Sequence, residues 1–175
     1  TGTLTEGKPA VTRIIVSEGF EEEELLRIAA GVERASEHPL ALAIVNSAVD
    51  RNIEIPPVSD FDSPTGKGAV GTIEGRRITL GNARFLGEAG IDTSSLATQA
   101  DQLRTDGATA IFMGIDSMVA GVFAIADPVK STTAEALTAL RADGITVVML
   151  TGDNRTTAEA VARQLGIDAV EADVL

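Results

Sequence analysis

The apolar run Ile145-Thr-Val-Val-Met-Leu150 ends in the polar turn Thr151-Gly152-Asp153-Asn154, and a helical pattern follows at once from Thr156 to Leu165. Another helix is predicted just before the run, over Thr132 to Asp143, and a short strand just after, near Ala169. Helices and strands alternating in this way predict a parallel α/β layer. Sheets of that kind bind ligands at the carboxyl ends of their strands, where Thr151 to Asp153 stand. The helix start offers free backbone amides to a phosphate, Thr151 offers a hydroxyl, and Asp153 a carboxylate able to act near a metal-phosphate group. A plain helix cap at Asp153 or Asn154 explains the same residues equally well.

Upstream of Asp127-Pro128 the texture differs. Val11 to Ser17 is rich in β-branched residues and reads as a strand. Glu21 to Ala35 places Leu25, Leu26, Ile28, Ala29 and Val32 at helical spacing. Pro39 suits the first turn of a second helix over Leu40 to Val49, so the two helices form a hairpin bent at Ser36-Glu37-His38-Pro39. Val70 to Ile73 and Arg77 to Leu80, separated by Glu74 to Arg76, predict an antiparallel strand pair. Thr109 to Ile115 and Met118 to Ile125 predict a second pair turning at Asp116 and Ser117, with a helix over Ser94 to Thr105 before it. Antiparallel sheet plus helices is a different architecture from the α/β layer, so two domains are implied.

Charge and composition narrow the partners. The formal net charge of −12 repels a nucleic-acid backbone over most of the surface. An anionic nucleotide would meet the same field, so backbone amides and isolated cations would have to offset it, and without Trp or Tyr aromatic stacking is scarce. The absence of cysteine rules out a disulfide framework and fits a reducing compartment. No run approaches the roughly 18 apolar residues of a membrane-spanning helix, so a soluble, cytoplasmic chain is expected. The acidic run Glu21 to Glu24 is expected to complement the dipole of the helix it opens.

Three short constellations remain. Thr1-Gly2-Thr3-Leu4-Thr5 suits a loop around a phosphate and equally an exposed terminus. Gly66-Lys67-Gly68-Ala69-Val70-Gly71 has the letters of a dinucleotide fingerprint, but a strand pair follows it instead of a helix, so a Rossmann site is rejected. The glycines then either let backbone approach a flat or phosphorylated ligand or merely shape a turn. His38, the single histidine, is either a helix-start residue bonded to backbone or an imidazole facing a purine, with Glu33 accepting from the exocyclic amine. One histidine without companions makes no metal site.

These pieces in this order resemble the nucleotide-binding and phosphorylation domains of heavy-metal-transporting P-type ATPases, most closely the copper exporters. Thr1-Gly-Thr-Leu-Thr-Glu-Gly-Lys-Pro9 looks like the segment after the phosphorylated aspartate of that family. Ser36-Glu37-His38-Pro39, with Glu33 before it, looks like its His-Pro motif. Gly66-Lys67-Gly68 and Gly81-Asn82 look like its glycine motifs, and Thr151-Gly152-Asp153-Asn154 like its phosphorylation-domain loop. The resemblance covers essentially the whole chain and implies a fold of α/β and α+β parts. Residues 1–8 and 126–175 would be a partial haloacid-dehalogenase-like phosphorylation domain, and residues 9–125 an inserted antiparallel-sheet-plus-helices nucleotide-binding domain.

The resemblance also implies ATP and Mg2+ as cofactors, in-line transfer of the γ-phosphoryl group to an aspartate, and Cu+ export by the parent pump. Glu33, His38, Gly66, Lys67, Gly68, Gly81 and Asn82 would hold ATP, while Thr3, Thr151, Gly152 and Asp153 serve the phosphate end. Partners would be the actuator and transmembrane domains of an integral membrane protein, with the hinge between the two domains near Gly7 to Pro9 and Ile125 to Pro128. The 175 residues hold no aspartate ahead of Thr3, nor the family's later lysine and magnesium-binding aspartates, so they are expected to be inactive or nearly so alone. The alternatives are a zinc- or cadmium-pump fragment, a free-standing phosphatase, and a non-catalytic nucleotide-binding or interaction module.

Overall fold

The computed structural model describes residues 2–152, 155–172 and 174. Its larger layer is a six-stranded antiparallel sheet in the order β1-β6-β5-β4-β3-β2. The strands are β1 (Ala10–Val16), β2 (Ser59–Asp62), β3 (Gly68–Ile73), β4 (Arg76–Gly81), β5 (Thr109–Ile115) and β6 (Met118–Ala126). β5 explains why the middle of this sheet reads as a nearly unbroken apolar run. Ile111, Met113 and Ile115 face one core while Ala110 and Phe112 face another, so both faces of the strand are covered.

The first of these cores lies under α1 (Glu22–Glu33) and α2 (Pro39–Asp50), where Leu25, Leu26, Ile28, Val32 and Ile44 meet Ile73, Ile78 and Phe123. The second lies under α3 (Ala83–Glu88) and α4 (Ala97–Thr105), where Leu86, Leu96, Ala100 and Leu103 meet Phe112 and Val122. The helix expected from Ser94 opens as a 3-10 turn, Ser94–Leu96, before α4 begins. The β3–β4 turn is tighter than expected: only Glu74 and Gly75 lie outside the strands, and Arg76 already pairs with Ile73.

Beyond β6 come α5 (Thr133–Ala142), β7 (Val148–Leu150), α6 (Arg155–Leu165) and β8 (Ala169–Glu171). β7 and β8 pair in parallel, the expected α/β layer. The strand expected over Ile145 to Leu150 is shorter than predicted. β8 offers only three partners, so the ladder ends at Val148 and Ile145 is left half exposed. A third core joins Leu137, Met149, Ala158, Ala162 and Ile167, with Leu4 packed against it.

The chain crosses between the layers twice, before β1 and after β6. Asp127 ties the crossings together: its carboxylate accepts from the backbone N–H of Gly7 at 3.1 Å and of Lys8 at 3.0 Å. A bridge from Thr5 to Val129 and a bond from the Glu6 N–H to the Pro128 carbonyl at 2.8 Å reinforce the tie. The acidic helix start does more than complement a dipole. Glu24 pairs with Arg27 and with Arg76 of β4, and Glu22 pairs with Arg51 past the end of α2.

Candidate functional site

α1 ends at Glu33 and α2 starts after His38, so the bend between them presents both side chains at one end of the sheet. His38 is the N-cap of α2. Its Nδ1 accepts from the Leu40 N–H at 3.2 Å, which places the proton of a neutral imidazole on Nε2. The ring is exposed, so this N–H is presented outward. The two readings of His38 are therefore compatible, because one nitrogen caps the helix while the other edge remains available to a ligand.

Glu33 is only 7% exposed. Burial pushes its carboxyl up to about 7, and a hydrogen bond from the Ser36 side chain works in the opposite direction. Desolvation penalises the charged form, and among the described residues no basic group offsets it. Near neutral pH this carboxyl can hold a proton or accept one, which suits hydrogen bonding to a heterocycle edge.

The glycines bring two loops together. A Cβ on Gly68 would collide with the Leu80 carbonyl oxygen, and one on Gly81 would lie 2.5 Å from the Lys67 carbonyl. The absence of side chains there permits the Gly68–Gly81 pairing that closes the β3–β4 ladder. Asn82 continues the contact: its N–H lies 3.4 Å from the Lys67 carbonyl, and its Oδ1 caps α3 by accepting from Phe85 N–H at 2.9 Å.

Glu33, His38, Gly66, Lys67, Gly68, Gly81 and Asn82 all line one cavity of about 620 Å³. That volume is in the range of small-molecule and cofactor sites. Leu40, Ala69, Leu80 and Ile111 supply apolar wall, and so does Phe61 from β2. The aromatic surface that composition made look scarce is thus present, on a strand that the sequence reading did not identify.

Thr3 and Thr151 meet at a second, smaller cavity of about 140 Å³ between the two layers, together with Thr5, Asp127 and Thr157. Leu40 and Thr109 belong to the linings of both cavities, so the two lie on opposite sides of one wall. Gly152 stands outside this lining; a Cβ there would lie 3.2 Å from the Val174 carbonyl. Asp153 lies outside the described residues. Among the described residues no group of three His, Cys, Asp or Glu side chains could hold a metal ion, and no helix is long and apolar enough to cross a membrane.

The sequence reading missed Phe61, the double tie at Asp127, and an ion pair at the rim of the larger cavity between Lys67 and Glu88. Phe61 sits in the polar segment Ser-Asp-Phe-Asp, which carries no alternating apolar signal. Asp127 could have been suspected from Asp-Pro at a change of architecture.

Comparison with known proteins finds relatives that align along the full length of the chain. It is 51% identical over 175 residues to a silver exporting P-type ATPase of Salmonella typhimurium, and 48% identical over 175 residues to a copper-transporting P-type ATPase of Rhizobium leguminosarum bv. viciae. The alignments cover 100% of this chain and 21% of each relative, so the chain spans about a fifth of the length of the curated relatives it matches. The crystal structure of a zinc-transporting PIB-type ATPase in its E2.Pi state superposes with a TM-score of 0.81 at 35% identity, covering 100% of this chain and 28% of that one. The sequence profile of the haloacid dehalogenase-like hydrolases matches residues 1–175, and with the parallel β7–α6–β8 unit in place the chain belongs to that family.

Proposed function

We propose that this chain is the ATP-binding part of a P-type ATPase that exports Cu+ through an aspartyl-phosphate intermediate, with residues 9–125 binding nucleotide and residues 1–8 and 126–175 contributing to phosphoryl transfer. The observation that carries this reading is the cavity of about 620 Å³ in which Glu33, His38, the Gly66-Lys67-Gly68 turn and Gly81-Asn82 converge. Relatives named for silver and copper support a soft monovalent cargo. The structural neighbour named for zinc keeps a zinc pump as the alternative cargo class.

In this reading the purine enters the larger cavity. Nε2–H of His38 and the carboxyl of Glu33 meet its polar edge, while Phe61 and Leu80 exclude water from its faces. Gly66 and Gly68 let backbone lie against the sugar without side-chain interference. Thr3, Thr151, Gly152 and Asp153 serve the phosphate end, with hydroxyls and helix-start amides for the transferring group. Mg2+ arriving with the nucleotide would offset phosphate charge there. The parent pump would use actuator and transmembrane domains as partners and work at a cytoplasmic membrane face. The 175 residues by themselves are expected to bind ATP without turning it over.

Calorimetric titration with ATP and GTP tests the site. His38→Asn replaces the imidazole with another good cap residue, so the start of α2 is retained while the ligand contact is lost. The expected result is ATP binding that the wild-type chain prefers over GTP, weakened about tenfold in His38→Asn with thermal stability little changed, since a hydrogen bond made only to the ligand is lost. Equal affinity for ATP and GTP, or full affinity in His38→Asn, would remove Glu33 and His38 from the purine site.

A further inference from the structure

The charges around the larger cavity do not favour an anion. Its lining includes the acidic side chains Glu37 and Glu33, the latter partly protonated near neutral pH, and Lys67 is its one Lys or Arg among the described residues. Yet Lys67 is already engaged: its Nζ lies 2.6 Å from Oε2 of Glu88, at the end of α3 and outside the cavity lining. The register of the sheet makes this contact. Gly68 pairs with Gly81, α3 starts two residues later, and its length carries Glu88 back beside Lys67. The bond holds the Glu88 carboxyl below its ordinary value.

Glu88 has a second partner. Nε of Arg84, one helical turn earlier, lies 3.2 Å from Oε1. If Lys67 leaves, the carboxylate keeps a cation beside it, so exchanging partners costs less than breaking an isolated pair. Both Lys67 and Glu88 remain 40% or more exposed, which puts the pair in reach of a competing anion.

We propose that Glu88 sets nucleotide affinity by competing with phosphate for Lys67, with Arg84 retaining Glu88 once the lysine has been transferred. This rests on the larger cavity binding ATP. Glu88 is then an affinity-determining residue that touches no ligand atom, and ATP binding has two steps at this rim: the Lys67–Glu88 bond opens and a Lys67–phosphate bond forms. A nucleoside lacking phosphate gains nothing from the exchange.

The test is calorimetry on the 175-residue chain with ATP and with adenosine, in low and high salt. Glu88→Gln keeps the shape and removes the competing charge, so ATP should bind about two- to fivefold tighter, the scale of one exposed ion pair. The gain should shrink in high salt, and adenosine should bind as to wild type. In a Lys67→Met background Glu88→Gln should give no gain, and Arg84→Gln alone should weaken ATP binding by leaving Lys67 as the sole partner of Glu88. Unchanged ATP affinity in Glu88→Gln, or an equal gain for adenosine, overturns the proposal while leaving the nucleotide site standing. Wild-type chain that binds neither ligand at millimolar concentration overturns the site and the proposal together.

Discussion

Replacing Glu33 with Gln separates burial of a charge from every other property of that side chain. In the unfolded chain the carboxyl titrates at its ordinary value of 4.5, and in the fold burial raises it to about 7. The folded chain therefore holds the proton more tightly than the unfolded chain. The fold has the full benefit of the neutral acid below pH 4.5, loses stability as the pH rises to about 7, and is level above that. At about 1.4 kcal/mol for each tenfold change in proton affinity, the whole effect is about 3 kcal/mol. Gln cannot ionise and so does not carry this cost.

Urea denaturation of both proteins at pH 5 and pH 8 reads the effect. Glu33→Gln should gain about 2 to 3 kcal/mol on wild type between the two conditions, because wild type has lost little at pH 5 and nearly all at pH 8. Glu24 and Glu74, held down by Arg27, Glu88, held down by Lys67, and Asp92, held down by the Ser94 N–H, titrate below this window and are common to both proteins. They cancel in the comparison. A difference between the two proteins that stays the same at pH 5 and pH 8 would refute the reasoning, since it would mean the carboxyl at the end of α1 is solvated. Gln also keeps a carbonyl acceptor for an exocyclic amine, so the variant should retain a preference for ATP over GTP.

The two glycines of the β3 turn should respond differently to alanine. At Gly66 nothing lies within 4 Å of an added Cβ and φ is 72°, so Gly66→Ala should cost about 1 to 2 kcal/mol by thermal denaturation and leave the fold intact. At Gly68 the Cβ meets the Leu80 carbonyl, so Gly68→Ala should cost about 3 kcal/mol or more, or force β3 and β4 apart; a stable Gly68→Ala chain with native circular dichroism would contradict the close approach. Asp127→Ala removes both bonds that join the crossings, and hydrogen exchange at the Gly7 and Lys8 amides should quicken about tenfold while the β5 and β6 amides are unaffected.

What could be read from the sequence follows from where the physical signal is local. α1, α2, β5 and β6 announce themselves because apolar side chains recur at the period of the element and nearby residues bound it. β2 does not: three of its four residues are polar, it lies at the edge of the sheet beside β3, and nothing in Ser-Asp-Phe-Asp marks Phe61 as the wall of a cavity. The run Ile145 to Leu150 errs the other way, because apolar β-branched residues promise a longer strand than a three-residue partner can hold. The site residues were assigned from the motifs the chain shares with a known family. The physical reason for those motifs, two glycines that let the Lys67 and Gly81 backbones touch, becomes visible only with the register of β3 on β4. Glu88 was out of reach for the same reason, being 21 residues from Lys67 and brought back to it by a strand pair and a helix.

On the proposed function, the sizes of the two cavities bear on how the chain works. The larger, about 620 Å³, would take a purine and ribose, whereas the smaller, about 140 Å³, has less than a quarter of that volume. For Thr3 and Thr151 to meet a phosphate of a nucleotide held in the larger cavity, the layers would then move relative to one another. Contacts opposing that movement include α4 against α6 and the Thr157 hydroxyl, which donates to the Ala108 carbonyl at 3.3 Å. The Asp127 tie lies at the crossings themselves. Closing on ATP would then exchange interlayer contacts for bonds to phosphate, with Asp127 keeping the two crossings together throughout.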